Sequence, residues 1–408
     1  LQLEPQSTAL FVLLMVVFCA LLAWLALTKQ PVFRVFAACL SFIPAMLFGV
    51  AAVNKYYDYY QTWGAIASDV GGQGLNTVPS IPRDLSTGRL QSILGKVTGG
   101  RAAALRGETV RLSVTGPATH ITRAVYVFLP PQYFQPAFSH WRFPAIELIS
   151  GYPGQPQDWI NVMGVVQAYR TLLQNGAVKP AVLIMPDPNG GMRISLQCLN
   201  VAHGPQDATF MAKEVPDYLA RTLRLQRPGL AWGIVGYSEG GYCAANLALV
   251  YPDRYGYAGV LSGYFRPFSD RLGNPSHLIS PFGKNVARRR LNTPLIRAGT
   301  LPVTVRVPKF WLGAGSSARG DVTAARAFEQ ALLARQPDVI LELAPGGAHT
   351  MATWRALIPP LLEWMTPLLQ FAAQHPVFPH GGPASAGASP AQSPAAGATK
   401  SPRPSPSR

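Results

Sequence analysis

Ala231-Trp-Gly-Ile-Val-Gly-Tyr-Ser-Glu-Gly-Gly-Tyr-Cys-Ala-Ala-Asn-Leu-Ala-Leu249 reads as a short buried strand, a turn of small residues around Ser238, and a helix of small and apolar residues. Gly236, Ser238 and Gly240 fall at G-x-S-x-G spacing, the pattern of a nucleophile elbow, in which a sharp strand-to-helix turn lifts a serine hydroxyl clear of a sheet. Side chains at Gly236 or Gly240 would collide where strand and helix pack closely. A chain with 38 glycines meets this spacing by accident, about once in several such sequences. The strand before it and the helix after it raise it above accident.

A serine is a poor nucleophile at neutral pH and needs a histidine base, usually oriented by an acid. On this architecture the partners follow in the order Ser, Asp or Glu, His, each after a strand. His349 fits: it ends Ala344-Pro-Gly-Gly-Ala-His349, after the apolar run 339–343 and before a helical stretch. His120, His140, His203, His277, His375 and His380 have no comparable place and no pair of them shows metal-ligand spacing, so neither metal nor cofactor is expected. Asp321 is the only carboxylate between strand 308–312 and the next helix, across a loop of Gly313-Ala-Gly-Ser-Ser-Ala-Arg-Gly-Asp321. It serves as the acid or as the cap of a helix beginning at Val322. Asp270 is the second candidate, and Glu342 lies within a strand.

Acyl transfer builds negative charge on the attacked oxygen, so donors must already point there. The backbone N–H of Glu239, next to Ser238, is one candidate. Tyr152 is the other, in Ser150-Gly-Tyr-Pro-Gly-Gln-Pro-Gln-Asp-Trp159, where Gly151 and Gly154 let the loop bend toward the site. Pro186-Asp-Pro-Asn-Gly-Gly-Met192 and the stretch from Ser262 through Arg288-Arg-Arg290 border the site, the latter as a partial lid. Gly151, Asn189, Tyr264 and Phe265 are therefore expected to touch substrate, while Asp187 fixes its own loop.

Short apolar runs at 109–114, 124–129, 143–149, 181–185, 231–237, 257–261, 308–312 and 339–343 alternate with helical patterns at 158–174, 210–225, 240–250, 322–336 and 351–373. That alternation predicts an α/β fold, a mostly parallel eight-stranded sheet with helices on both faces, preceded by transmembrane helices. The first two strands lack room for a crossover helix and should pair antiparallel at one edge.

Leu10–Leu27 and Val35–Val53 carry no charge and approach the ~20 residues that cross a hydrocarbon core. Lys29 and Arg34 between them place that turn in the cytoplasm and everything after the second helix outside. A cleaved signal peptide fits less well, since no basic n-region precedes the first run and a second follows. The sequence opens on Leu1, which leaves room for further helices upstream. The expected domains are a helical hairpin anchor (1–53), a juxtamembrane linker (54–107), a catalytic domain (108–376) and a disordered Pro/Ala/Ser-rich tail (377–408). Tyr56, Tyr57, Tyr59, Tyr60 and Trp63 read as an interfacial aromatic belt.

With 48% apolar residues the chain of 408 is not mostly disordered, and its formal charge of +16 calls for an anionic partner. No zinc-finger spacing or RNP-like strand is present, so nucleic acid is not expected and a membrane surface is. Cys198 and Cys243 can pair if their domain is extracytoplasmic, but the sequence leaves bridge and free thiols both open. Oligomeric state is likewise open.

With these parts placed, Gly151-Tyr-Pro-Gly154 with Asp158-Trp159, Gly236-Tyr-Ser-Glu-Gly-Gly-Tyr-Cys-Ala244 and Pro345-Gly-Gly-Ala-His349 with Trp354-Arg355 resemble the α/β-hydrolase "putative esterase" family over about residues 54–373. That family includes esterase D-like enzymes and mycolyltransferases, and within it the chain looks like the actinobacterial membrane-anchored esterases. The resemblance implies Ser238 as nucleophile, His349 as base, and the Tyr152 and Glu239 backbones as oxyanion donors. It also implies an acyl-enzyme resolved by water, on a lipid or cell-envelope ester. Transfer to a sugar or lipid hydroxyl is the alternative, and a non-catalytic envelope scaffold is the third reading. Ser150 stands where many relatives have histidine, and the loop to Asp321 reads as longer than usual.

Overall fold

The computed structural model describes residues 3–70, 80–81, 101–191, 194–268 and 280–375. Two helices long and apolar enough to cross a membrane come first, α1 (Thr8–Leu27) and α2 (Pro31–Tyr57). They pack as a hairpin in which Phe11 meets Phe48 edge-on at 5.2 Å. Ser7 caps α1 by accepting from the Leu10 N–H at 3.2 Å, and Pro31 starts α2, where a missing N–H costs nothing. The second helix does not stop at Val53: it takes in Asn54–Tyr57 and ends at Asp58, whose φ of 49° is the left-handed conformation that aspartate tolerates. The short helices α3 (Trp63–Val70) and α4 (Arg101–Arg106) follow.

One mixed sheet organises the rest. Its strands are β1 (Ser80–Ile81), β2 (Glu108–Thr115), β3 (Thr122–Leu129), β4 (Ala145–Ile149), β5 (Val182–Pro186), β6 (Gly229–Tyr237), β7 (Tyr255–Leu261), β8 (Lys309–Gly315) and β9 (Ile340–Ala344). They are ordered β1-β2-β3-β5-β4-β6-β7-β8-β9. Eight of them are the eight apolar runs of the sequence. The ninth is a two-residue edge piece beside β2 with too little periodicity to read. Only β3 runs against its neighbours, pairing antiparallel with β2 and β5. The register Ile149↔Gly236, Tyr237↔Leu261, Leu261↔Gly313 and Gly315↔Ala344 brings the ends of β4, β6, β7, β8 and β9 to one edge.

Helices cover both faces, as strands buried on both sides require. Along β6, Trp232 and Ile234 enter one apolar layer while Val235 and Tyr237 enter the other, the two-residue period of a strand. The first layer packs under α7 (Val215–Thr222), α8 (Glu239–Val250) and α10 (Pro294–Thr300), which follows the short α9 (Val286–Leu291), and under α11 (Arg319–Leu333). The second packs under α5 (Asp158–Asn161), α6 (Val165–Gln174) and α12 (Met351–Gln374). The helix expected over 158–174 is two helices, because Gly164 takes φ 62° and breaks it. The helical stretch expected at 210–225 starts at Asp207, with a π turn over Phe210–Glu214 leading into α7. Residues 377–408 lie outside the described residues, so the expected tail is not addressed by the structure.

Candidate active site

Ser238 sits between β6 and α8 at φ 54°, ψ −119°, a conformation costly for any residue with a side chain. The two flanking glycines are needed sterically. A Cβ on Gly236 would lie 1.9 Å from the Gly240 carbonyl oxygen, and one on Gly240 would lie 2.1 Å from that of Ile149. Backbone thus packs directly on backbone, and the serine is pushed out at the sheet edge.

His349 Nε2 lies 3.0 Å from Ser238 Oγ, and His349 Nδ1 lies 2.7 Å from Asp321 Oδ2. The histidine and aspartate side chains are 41% and 20% exposed, so substrate can reach the imidazole. Asp321 is not the far end of a long loop: β8 runs on to Gly315, leaving only residues 316–318 before α11, and Asp321 lies in that helix's first turn. The loops carrying Asp321 and His349 are laced together. Ser316 Oγ accepts from the Gly346 N–H at 2.8 Å, the Ser317 N–H donates to the Gly347 carbonyl at 2.8 Å, and a Cβ on Gly315 would strike the Gly347 backbone at 2.3 Å. Asp270, the second candidate acid, lies outside the described residues. Glu342 is in β9, as its position in an apolar run implied.

The Ser150–Trp159 loop reaches the same point. A Cβ built on Gly151 would lie 3.1 Å from Ser238 Cβ and 2.9 Å from the Tyr237 ring. Tyr152 follows at the surface, 38% exposed. Glu239 opens α8, where the first N–H groups of a helix have no intrahelical acceptor.

On one side of the serine an aromatic column supports the base. The His349 ring meets Trp354 edge-on at 4.9 Å, Trp354 stacks on Tyr237 at 4.8 Å, and Tyr237 meets Trp159 at 5.1 Å. On the other side the Glu239 carboxylate accepts a short hydrogen bond from the Ser195 hydroxyl. Burial pushes this carboxyl up to about 7, against the Ser195 hydroxyl, the Asn189 side chain and the Gln197 backbone, which hold it down. Sequence reasoning missed both supports. Trp354 had its signal in the motif beside His349, whereas nothing local to Ser195 pairs it with Glu239.

The expected substrate contacts divide. Gly151 borders the serine, and Tyr264 is half-buried, stacked on Tyr242 at 5.2 Å. Asn189 is instead 8% exposed, its Oδ1 accepting from the Leu196 N–H at 2.9 Å, so it shapes its own loop. Phe265 is 4% exposed, stacks on Phe328 at 4.1 Å, and borders a cavity with Tyr264, Leu295 and Arg319. Asp187 accepts from the Asn189 and Gly190 N–H groups at 3.0 and 2.8 Å and so fixes its turn. Residues 269–279 of the expected lid lie outside the described residues. Cys198 and Cys243 are bonded, their Cα atoms 5.6 Å apart, which ties α8 to the segment after β5. Among the described residues no cluster of His, Cys, Asp and Glu is arranged to hold a metal ion.

A serine on a strained strand-to-helix turn, in reach of an imidazole that is itself in reach of a carboxylate at the edge of a mostly parallel sheet, defines the α/β-hydrolase class. The family model described as "Putative esterase" matches residues 117–365, and the chain belongs to that family within the serine-hydrolase superfamily. Among curated relatives, the MPT51 antigen of Mycobacterium leprae is 49% identical over 61 residues, 15% of this chain and 20% of that protein. An uncharacterised protein of Corynebacterium glutamicum is 24% identical over 252 residues, 60% of this chain. The chain thus spans 20% and 57% of the length of these two relatives. Among solved structures, a ferulic acid esterase is 16% identical with a TM-score of 0.55, covering 65% of this chain and 99% of its own. An S-formylglutathione hydrolase of Staphylococcus aureus is 18% identical with a TM-score of 0.52, covering 64% and 99%. At such identities the likeness is one of fold.

Proposed function

We propose that this chain is a membrane-anchored serine esterase whose catalytic domain is extracytoplasmic, acting on carboxylic esters of lipids or other cell-envelope molecules through an acyl-enzyme. The observation that carries the reading is the unbroken line from Asp321 Oδ2 to His349 Nδ1 at 2.7 Å and from His349 Nε2 to Ser238 Oγ at 3.0 Å. Ser238 Oγ attacks the ester carbonyl carbon, and His349 Nε2 takes its proton. The Glu239 and Tyr152 backbone N–H groups receive the charge that grows on the carbonyl oxygen. Collapse breaks the ester C–O bond, the alcohol leaves with the proton held by His349, and water activated by the same imidazole releases the acid. Asp321 holds the ring in the tautomer that presents a bare Nε2 to the serine.

The anchoring part of the reading is supported by α1 and α2, and the outward orientation by Lys29 and Arg34 in and beside the turn between them. A disulfide in the catalytic domain agrees with an oxidising compartment. A fluorophosphonate probe should label Ser238 in the folded full-length protein and fail on Ser238→Ala; an unlabelled wild type would overturn the reading. Product analysis of a lipid ester with and without glycerol separates hydrolysis from transfer, since an acylated glycerol appears only if the acyl-enzyme passes its group to a hydroxyl.

A further inference from the structure

The segment that follows the second apolar helix does more than connect. Asp58 ends α2 in the left-handed conformation, and Asn54 closes the turn from both sides: its Oδ1 accepts from the Tyr60 N–H at 2.7 Å and its Nδ2 donates to the Tyr60 carbonyl at 2.9 Å. This rigid turn presents two side chains to the hydrolase fold. Tyr59 donates its hydroxyl to Asp158 Oδ2 at 2.7 Å. Asp58 forms an ion pair with Arg355, which also donates to the Asp58 carbonyl at 3.0 Å and to the Val162 carbonyl at 2.9 Å. Tyr59 and Tyr60 are half-buried against the second apolar layer of the sheet, so two of the tyrosines read above as a lipid-facing belt are docked on protein. Tyr56, Tyr57 and Trp63 remain exposed.

What these two side chains grip is specific. Asp158 Oδ2, which Tyr59 holds, also accepts from the Gln155 N–H at 2.8 Å, and a Cβ on Gly154 would lie 2.6 Å from the same oxygen. That one carboxylate oxygen therefore fixes the path of the loop whose Gly151 abuts Ser238. Arg355 is the residue after Trp354, the ring that meets His349 edge-on and stacks on Tyr237. Burial and the neighbouring Asp158 carboxylate both push the Tyr59 hydroxyl up, so it stays protonated and donates to that carboxylate.

We propose that Asp58 and Tyr59 are positioning residues of the active site: the end of the hydrophobic hairpin sets the oxyanion loop through Asp158 and the support of His349 through Arg355. The inference rests on the serine-esterase reading above. It makes the hairpin part of the catalytic assembly rather than a tether that any anchor could replace. Misalignment of an oxyanion donor acts on the transition state and not on ground-state binding, so its signature is a loss in kcat with KM held.

The test uses the full-length chain in detergent micelles, with a short p-nitrophenyl ester as substrate and a fluorophosphonate probe for Ser238. Tyr59→Phe removes one hydroxyl and keeps the ring. We expect kcat and the labelling rate to fall together by about tenfold, KM to stay within about twofold, and the loss to vanish in an Asp158→Ala background where the acceptor is gone. A Tyr59→Phe protein with a lower melting temperature but wild-type kcat would overturn the inference, as would a change confined to KM. Should Asp158→Ala fail to fold, the split between kcat and KM in Tyr59→Phe decides alone. A wild type that neither labels nor turns over substrate would remove the esterase reading itself, a result distinct from an active wild type indifferent to Tyr59.

Discussion

The two chain neighbours of Ser238 lead into unlike surroundings. Tyr237 enters an apolar column of Trp354, Trp159 and, through Trp354, the His349 ring, continuous with the layer on which Tyr59 and Tyr60 dock. Glu239 enters a buried polar pocket with Ser195 beneath a helix that Cys243 ties to Cys198. The first side packs the imidazole against rings, with Asp321 holding its Nδ1 at 2.7 Å. The second holds the start of α8 by a hydrogen-bonded carboxyl and a covalent bridge, where removing one partner strands the other. The Tyr237 side thus combines ring packing with the hydrogen-bonded imidazole, the Glu239 side a buried carboxyl with a covalent bridge, and the two sides should fail differently.

The largest effect is expected on the imidazole side. Asp321→Asn keeps the volume but offers the imidazole a group that can donate, and it should lower kcat by about 10²- to 10⁴-fold without unfolding the domain. Near-normal turnover with an unchanged melting curve would move the acid elsewhere and break the comparison. On the other side, the paired replacement Cys198→Ser with Cys243→Ser removes a cross-link between residues 45 apart in sequence, which should destabilise by about 2–4 kcal/mol. Denaturation under non-reducing conditions reads this out, with turnover at 25 °C expected within a few-fold of wild type. A kcat collapse in a protein still folded would show that the polar side sets the chemistry as well.

The smallest effect sharpens the polar side alone. Because burial lifts the folded Glu239 carboxyl to about 7, against an unfolded value of about 4.3, the fold favours its protonated form. The stabilisation is then complete below the unfolded value and lost as pH rises through about 7. Glu239→Gln, whose amide oxygen still accepts from Ser195, should flatten this part of the stability profile. Melting temperatures between pH 4.5 and 8 that fall equally in both proteins would assign the slope to another group.

Much of this was legible from the chain because its signals are local. The elbow needs Gly236 and Gly240 within two residues of Ser238, and the carbonyl contacts those glycines make are the reason no side chain fits. His349 stands where its place after a strand put it, and the eight runs became eight strands because central strands such as β4 and β5, buried on both faces, leave continuous apolar sequence, while β2 at the edge leaves an alternating one. Asn189 and Phe265 are nearly buried, which the sequence does not reveal, because a residue in a loop beside a site looks the same whether it faces solvent or core. The length of the loop to Asp321 was misread because Gly313, Ala314 and Gly315 look like a turn, yet their small size is what lets β8 continue against the Gly347 backbone.

The sequence by itself determined the order of strands and helices, the elbow at Ser238, the place of His349 after the last strand and two helices of membrane-crossing length, all properties carried by periodicity and by residues a few positions apart. Only the tertiary structure decided that Asp321 reaches His349, that Cys198 meets Cys243, that Ser195 partners Glu239, and that Asp58 and Tyr59 seize Arg355 and Asp158. Each of those joins residues 28 to 297 positions apart. Such pairings depend on how the sheet orders its strands and brings their ends to one edge, and no local pattern encodes that.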